Sequence, residues 1–567
     1  MSDDSKKDDP KNVIDMRRKV EARIQEEKKQ LSDSGGGDGG EKGSRFGDAG
    51  DGDGGKIDSR FILDCLNANE LGDGSLFKTL HQGKFVFCKS MDAWLVWNGH
   101  HWEIDILDQA LAAVERVVDT YLDEVDRINE QLRGMYGNPD QKDVISRLEA
   151  TRTNLFKRVS RLRSSKGRKN CLHFAHTCDE PMAIRGDELD RNPYLLACKN
   201  GVIDLKTGLR RDGRPEDYLL KASPIEWTGI DEACPSWEKF LTEIFSENEQ
   251  LVKFVDRVLG YALVGISPEH IIVVLSGRGR NGKGTIVDIL SFILGRLAGP
   301  IRAEMLLDQS RYASSAGPTP DIMALRGLRM AFASETDENA KISPSRVKWL
   351  TGNDELTGRN PHDKYETTFR PTHTLFLLTN HKPHAPADDF AFWERVRLVP
   401  FELSYVDRDI RSENERVADK DLPEKLKLEA SGILAWLVRG CLLWQKEGLD
   451  PPPVVKKATE EYRRDEDIMA DFMDECCILD ETVEVGASNL YTVFEAWWKI
   501  NVHKNPPKQK WFGKIAGRRF ERAKVSGTYR YYGIRLLDHI QEYVDTSERI
   551  DERELTDLLK FGVQSGA

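Results

Sequence analysis

The chain has 567 residues and a mass of 64.5 kDa, room for roughly two to four domains. Its formal net charge of −12 excludes a global basic field, so any nucleic-acid contact must come from local patches. No run reaches the ~18 apolar residues of a membrane span, and the nine cysteines form no regular framework, which points to a reducing, cytoplasmic setting.

Residues 1–57 are mostly charges and glycines, as in "SDSGGGDGGEKGSRFGDAGDGDGG". They bury too little apolar surface to offset ordering entropy, so they read as a disordered tail. With charged and polar first residues, no signal peptide is expected. Folded sequence begins near Phe61. "GKFVFCKSMDAWLVWNGHHWEID" alternates apolar and polar residues around a turn at Asn98-Gly99 and reads as a β-hairpin.

Helical periodicity covers Asp108 to Leu132; Gly137 to Asp140 is a turn, and a second helix runs to about Arg163. Lys157, Arg158, Arg161, Arg163, Lys166, Arg168 and Lys169 read either as a solvated helix end or as a DNA-facing patch. Cys171, His173, His176 and Cys178 lack the CxxC or HxxxH knuckles of zinc sites and read as ordinary helix residues. Short strands in "NPYLLACKNGVIDLKTG" complete an α+β module over 58–225.

The helical "CPSWEKFLTEIFSENEQLVKFVDRVLGYALVG" leads into an apolar strand, His270 to Leu275, and then a glycine loop. Alternating strands and helices over 235–405 predict an α/β nucleotide-binding domain. Helices dominate 420–480, a further module spans 481–540, and 541–567 is an acidic C-terminal tail or helix.

The loop is Gly277, Arg278, Gly279, Arg280, Asn281, Gly282, Lys283, Gly284 and Thr285, between a buried strand and the amphipathic helix "TIVDILSFILGRL". Strand, Gly-rich loop and helix form a phosphate cradle: backbone N–H groups turn inward, the helix N-terminus adds positive partial charge, and Lys283 reaches the β- and γ-phosphates. These residues are the candidate ATP contacts. Gly284 stands where a Ser or Thr normally holds Mg²⁺, and the hydroxyl arrives one residue later, at Thr285. Glu335 follows the apolar strand Leu328 to Ala333, where a carboxylate can meet Mg²⁺ or polarise water. Asn380 ends the strand "HTLFLLTN" as a neutral amide suited to orienting water or the γ-phosphate.

"NGVIDLKTG", "FVDRVLGYALVG", "GRGRNGKGT", "ASE", "VKWLTGNDELTGRNPHDKYETTF", "LLTNHKP" and "FWERVRLVPFEL" occur in family order. Together they resemble superfamily-three (AAA+) helicases of the phage and plasmid primase type, related to the poxvirus primase-helicase, over roughly 61 to 540. The resemblance implies an α/β P-loop motor, and host cytoplasm if the source is viral. It implies Lys283 as Walker A lysine, Glu335 as catalytic Walker B acid and Asn380 as the motif C asparagine. Arg395 is similar to a trans-acting arginine finger, with Arg397 as second candidate, and the family's motors are usually hexameric rings. Thr285 and Glu335 are the implied Mg²⁺ contacts. Lys348 opens the B′ motif, whose two strands flank an "NPHD" turn. A hairpin tip with Arg359, His362 and Lys364 would grip the phosphates of one DNA strand.

From His503 to Arg535 there are ten Lys and Arg against one acid, Glu521, interleaved with aromatics. "KQKWFGKIAGRRFERA", with Lys514, Arg518, Arg519 and Arg522, resembles a recognition helix, and "GTYRYYGIRL" a β-wing; similar helicases carry a winged-helix DNA-binding domain here.

The expected activity is an ATP- and Mg²⁺-dependent replicative DNA helicase of a phage, plasmid or mobile element. It would act on single-stranded and forked DNA, with a separate primase or polymerase as a further candidate partner. Two rivals stand: a bifunctional primase-helicase, for which no polymerase-like domain precedes the motor module, and an ATP-gated DNA-binding or origin-loading protein with weak hydrolysis.

Overall fold

The computed structural model describes residues 57–136, 139–178, 180–308, 317–334, 340–361, 363, 366–502, 504–546 and 551–562. The expected N-terminal tail, Glu335, His362 and Lys364 lie outside the described residues.

The first part packs helices α1 (Ser59–Asn67), α2 (Glu70–Leu80), α3 (Gln109–Met135), α4 (Lys142–Leu162) and α5 (Ser165–Ala175) beside a small sheet of β1 (Phe85–Cys88), β2 (Ala93–Trp97), β3 (Trp102–Ile104) and β4 (Ala183–Ile184), ordered β3-β2-β1-β4. The single expected hairpin is therefore corrected to three antiparallel strands. A second reversal precedes Asn98-Gly99, with Asp92 at φ +48°. Apolar positions on α3 and α4, among them Val114, Tyr121, Leu155 and Leu162, form the core.

Arg158, expected in an exposed basic run, points inward: it donates to Asp73 Oδ2 at 3.3 Å, and Tyr121 Oη donates to Asp73 Oδ1 at 3.0 Å. Burial pushes the Asp73 carboxyl up to about 7 despite the guanidinium beside it. Arg163 and Arg168 hold Glu115, which leaves Lys157, Arg161, Lys166 and Lys169 as the exposed part of that run.

Strands β5 (Leu195–Cys198), β6 (Gly201–Asp204) and β7 (Leu209–Arg211) form an antiparallel sheet. Its apolar residues Leu196, Ile203 and Leu205 share one core with Trp237, Phe254, Ile289 and Leu434, so the packing runs across the expected boundary near 225. Buried Arg329 joins the two parts, donating to Pro193 O at 2.9 Å and Leu195 O at 3.3 Å.

After α6 (Pro235–Ile244) and α7 (Glu249–Tyr261) comes a five-stranded parallel sheet of β8 (Ile272–Ser276), β9 (Ala298–Ile301), β10 (Met330–Ser334), β13 (Thr374–Thr379) and β14 (Val396–Pro400), ordered β14-β8-β13-β10-β9. Ile272 to Leu275 and Leu375 to Leu377 are buried, the continuous apolar pattern of a sheet covered on both faces. Helices α8 (Lys283–Leu294), α9 (Pro320–Ala324), α10 (Pro344–Thr351) and α11 (Phe390–Trp393) connect these strands. The antiparallel pair β11 (Leu356–Gly358) and β12 (Thr367–Phe369) projects from them as the expected hairpin.

Short parallel strands β15 (Ser404–Val406) and β16 (Glu415–Val417) precede α12 (Leu422–Leu428), α13 (Ala430–Glu447), α14 (Pro453–Asp465) and α15 (Ile468–Cys476). The last unit combines β17 (Cys477–Gly486), α16 (Ala487–Asn501), α17 (Gln509–Arg519), β18 (Arg522–Val525) and β19 (Thr528–Leu536), with sheet order β17-β19-β18. Of the two alternatives for the acidic C-terminal segment, tail or helix, the described residues take the second, as α18 (Asp538–Thr546) and α19 (Glu552–Gly562). Ile540, Val544, Leu555 and Leu559 drive this by entering the same apolar core as Phe494 and Phe512.

Candidate functional site

The chain leaves β8 at the carboxyl edge of the parallel sheet, where such sheets place ligands. Arg280 and Gly282 take left-handed backbone, φ +61° and +89°, which turns the loop back to start α8 at Lys283. Gly277 passes so close to Phe401 O and Asn281 Nδ2 that an added Cβ would lie 2.3 Å and 2.5 Å from them. The loop opens onto a cleft of about 560 Å³ lined by Gly279 to Thr285, with Asp288, Ser334 and Asn380 also on its wall.

Lys283 and Asn380, 97 positions apart, meet in this cleft: Lys283 Nζ donates to Asn380 Oδ1 at 3.2 Å and to Gly277 O at 2.5 Å. Both acceptors are neutral, and among the described residues no carboxylate pairs with this lysine. Burial pushes its ammonium down to about 8. Asn281 is 3% exposed, and its Nδ2 has no hydrogen-bond partner. A buried amide donor without an acceptor, beside a buried cation without a counter-ion, is costly, and a phosphate group would satisfy both.

Gly284 faces open space, and Thr285 beside it is half-buried on the cleft wall. Asp288, one helical turn past Thr285, puts a carboxylate on the same wall; sequence reading missed it, although its i, i+3 spacing from Thr285 was a usable signal. Ser334 ends β10 on the wall, immediately before Glu335. Among the described residues no group of three or more His, Cys, Asp or Glu side chains converges as a metal site. Arg278 and Arg280 are exposed, Arg280 lying 3.7 Å from Asp407.

Arg395 is placed elsewhere. It precedes β14, and its carbonyl accepts from Ile272 N at the start of β8, at 2.9 Å. β14 runs parallel to β8, Val396 opposite Ile272 and Pro400 opposite Ser276, so the strand's length separates Arg395 from the loop. That is roughly 16 Å at about 3.3 Å per residue, beyond the reach of an arginine. Arg395 Nη1 donates to Ala391 O at 2.6 Å, its buried Nε has no partner, and no carboxylate among the described residues pairs with it. Arg397 donates to the carbonyls of Glu394 and Val396, and burial lowers its pKa.

The expected DNA contacts divide into free and engaged groups. Lys348 is held by Asp389 at 2.9 Å and 3.2 Å, and Arg359, in the hairpin turn, donates to Asp363 O at 3.3 Å. On α17, Lys514 is exposed and has no ion-pair partner among the described residues, as is true of Lys504, Lys508 and Lys510 before it. Arg518 is ion-paired with Asp388, and Arg519 donates twice to Asp467 at 2.6 Å. The Arg522 guanidinium lies 4.5 Å over the Tyr529 ring. Phe512 and Tyr531 are core residues, whereas Trp511 and Tyr529 are exposed at 43% and 48%.

Residues 74–246 match the family model described as D5 N terminal like. The chain is 28% identical over 450 residues to "Putative helicase L207/L206" of Acanthamoeba polyphaga mimivirus, covering 75% of this chain and 45% of that protein. It is 20% identical over 397 residues to "Putative primase C962R" of African swine fever virus, covering 67% and 41%. It thus spans less than half the length of these curated relatives. A solved structure of the NrS-1 C-terminal region aligns over 65% of this chain and 89% of that one, at 10% identity and a TM-score of 0.40. Among the described residues no helix is long and apolar enough to cross a membrane. The chain is thus similar, over 74–246, to the D5 N-terminal-like family and, over longer stretches, to viral proteins named as helicases and primases.

Proposed function

We propose that this chain is an ATP-driven DNA helicase that works as a hexameric ring, translocating on single-stranded DNA during viral, phage or mobile-element replication. The observation that carries this reading is the convergence of Lys283, Asn380 and the unsatisfied Asn281 amide on one cleft at the carboxyl edge of the parallel sheet. The loop amides, Lys283 and Asn281 bind the triphosphate. Asn380 orients the γ-phosphate or the attacking water. Glu335, one residue beyond β10, takes the proton of that water. Thr285 would hold Mg²⁺, with Asp288 on the same wall and Glu335 as the other candidate contact, and the bound ion would neutralise β/γ charge.

Arg395, out of reach of its own cleft and without a carboxylate partner among the described residues, is available to a neighbouring subunit's γ-phosphate. This supports an ATP site completed between subunits. Hydrolysis would then move the β11–β12 hairpins along the strand, with the C-terminal unit as a winged-helix DNA-binding domain. Gly284 supports a second reading, an ATP-gated DNA-binding protein that turns over weakly, because it removes the usual metal-binding hydroxyl. The test is ATP-dependent strand displacement on a forked duplex. Wild type should unwind, and Lys283→Ala should lose about 10²-fold in nucleotide affinity through lost charge-assisted bonds. Nucleotide binding without unwinding or DNA-stimulated turnover would favour the gated binder.

A further inference from the structure

Residues 381–389 link Asn380, beside the nucleotide loop, to α11 and Arg395. Side chains from two other parts of the chain fix this link. From α14 and the residue after it, Tyr462 Oη donates to Pro383 O, Arg463 Nε donates to Ala387 O at 3.1 Å, and Ala385 N donates to Glu466 Oε2 at 3.0 Å. Lys382 Nζ also reaches Asp465 Oδ2 at 3.0 Å. The second hold comes from α17, through the ion pair of Arg518 with Asp388. The next residue, Asp389, binds Lys348 and caps α11 by accepting from Phe392 N at 3.0 Å. Arg519 adds its two bonds to Asp467, directly after Glu466, and Asp467 in turn caps α15.

The two holds differ in burial. Tyr462 is 1% exposed, whereas the Arg518 side chain is half exposed. A part-exposed ion pair is worth at most about fivefold in an equilibrium, so an incoming phosphate can exchange with the carboxylate. On α17, Arg518 thus ties the basic unit directly to the link, and Arg519 holds Asp467 beside Glu466, which itself holds the link.

We propose that this arrangement is a DNA-responsive clamp. Phosphates of bound DNA compete with Asp388 and Asp467 for Arg518 and Arg519, and their arrival frees the link between Asn380 and Arg395. The clamp rests on the reading of the chain as a DNA-stimulated ATPase, and supplies its coupling: an empty basic unit restrains the link, and an occupied one releases it.

The test uses the full chain and a labelled oligo-dT strand. Asp388→Asn combined with Asp467→Asn should tighten oligo-dT binding and raise DNA-free ATPase, each about fivefold. Amide exchange over 381–389 should rise when oligo-dT binds wild type, and should already be high in the DNA-free double variant. The charge swap Arg518→Asp with Asp388→Arg should restore low DNA-free turnover. A wild type that binds DNA and hydrolyses ATP while these shifts are absent overturns the clamp alone. One that binds DNA without hydrolysis overturns the motor reading, and the exchange and affinity measurements still decide the clamp. One that binds no DNA overturns both.

Discussion

The nucleotide loop and helix α17 are both built around cations, yet the protein treats them in opposite ways. Lys283 is buried against neutral oxygens, and the amide of Asn281 beside it is left without a partner. Arg518 and Arg519 each hold a carboxylate from a distant part of the chain. An anion entering the first site meets donors already desolvated and aimed, so binding needs little reorganisation. An anion approaching the second must displace a resident acid, so binding there is linked to whatever that acid was restraining. The first arrangement suits a ligand that is always needed; the second suits a signal.

The largest effect that would sharpen this contrast concerns Arg395, which belongs to neither site in its own subunit. Arg395→Ala should lower ATP turnover by about 10³-fold while leaving nucleotide affinity within about twofold, because its contact is made only as charge develops. Mixing it with Lys283→Ala subunits should recover some turnover, since such mixtures contain sites with an intact loop facing an intact arginine. Turnover unchanged by Arg395→Ala would remove the intersubunit site.

A smaller effect is expected from pH. Burial lowers the Lys283 ammonium from 10.5 to about 8, so in the free protein it loses its charge as pH rises through that value. Nucleotide affinity, read by titration with a fluorescent analogue, should fall about fivefold from pH 8 to 9 and stay flat in Lys283→Arg. The sign for stability is opposite. The unfolded chain binds the proton more tightly, so this group makes the unliganded fold more stable as pH rises from about 8 toward 10.5. A flat affinity profile in wild type would mean that the loop does not depend on this charge.

The smallest effect compares two cations on one helix. Lys514→Ala removes a free charge and should weaken oligo-dT binding severalfold while reducing the salt slope by about 0.7. Arg519→Ala should cost less affinity, because that arginine already spends its bonds on Asp467. Equal losses from the two variants would erase the distinction between free and engaged cations.

Part of this arrangement was legible along the chain. The apolar run of β8, the glycines of the loop and the periodicity of α8 are neighbours in sequence, and each element forms by rules that act within one or two turns. The same holds for the β11–β12 hairpin, where β-forming residues flank an Asn-Pro turn. Where expectation and structure part, the missing information was non-local. Arg158 reads as one more cation in an exposed run, but Asp73, 85 positions away, draws it inside. Residues 541–567 read as acidic, yet the spacing of Leu555 and Leu559 lets a helix bury them. Asp288 lies in an ordinary helical stretch until the fold turns it toward the cleft.

The sequence by itself determined most of the strands, loops and helices, and the glycine-rich turn between β8 and α8, because hydrophobic period and turn chemistry are local. Only the tertiary structure decided that Lys283 meets Asn380, that Arg395 stands at the opposite edge of the sheet from its own loop, and that Arg518 and Arg519 are occupied by acids. Each of those outcomes depends on which distant surfaces pack together, and packing is settled by the whole core rather than by any one stretch of chain.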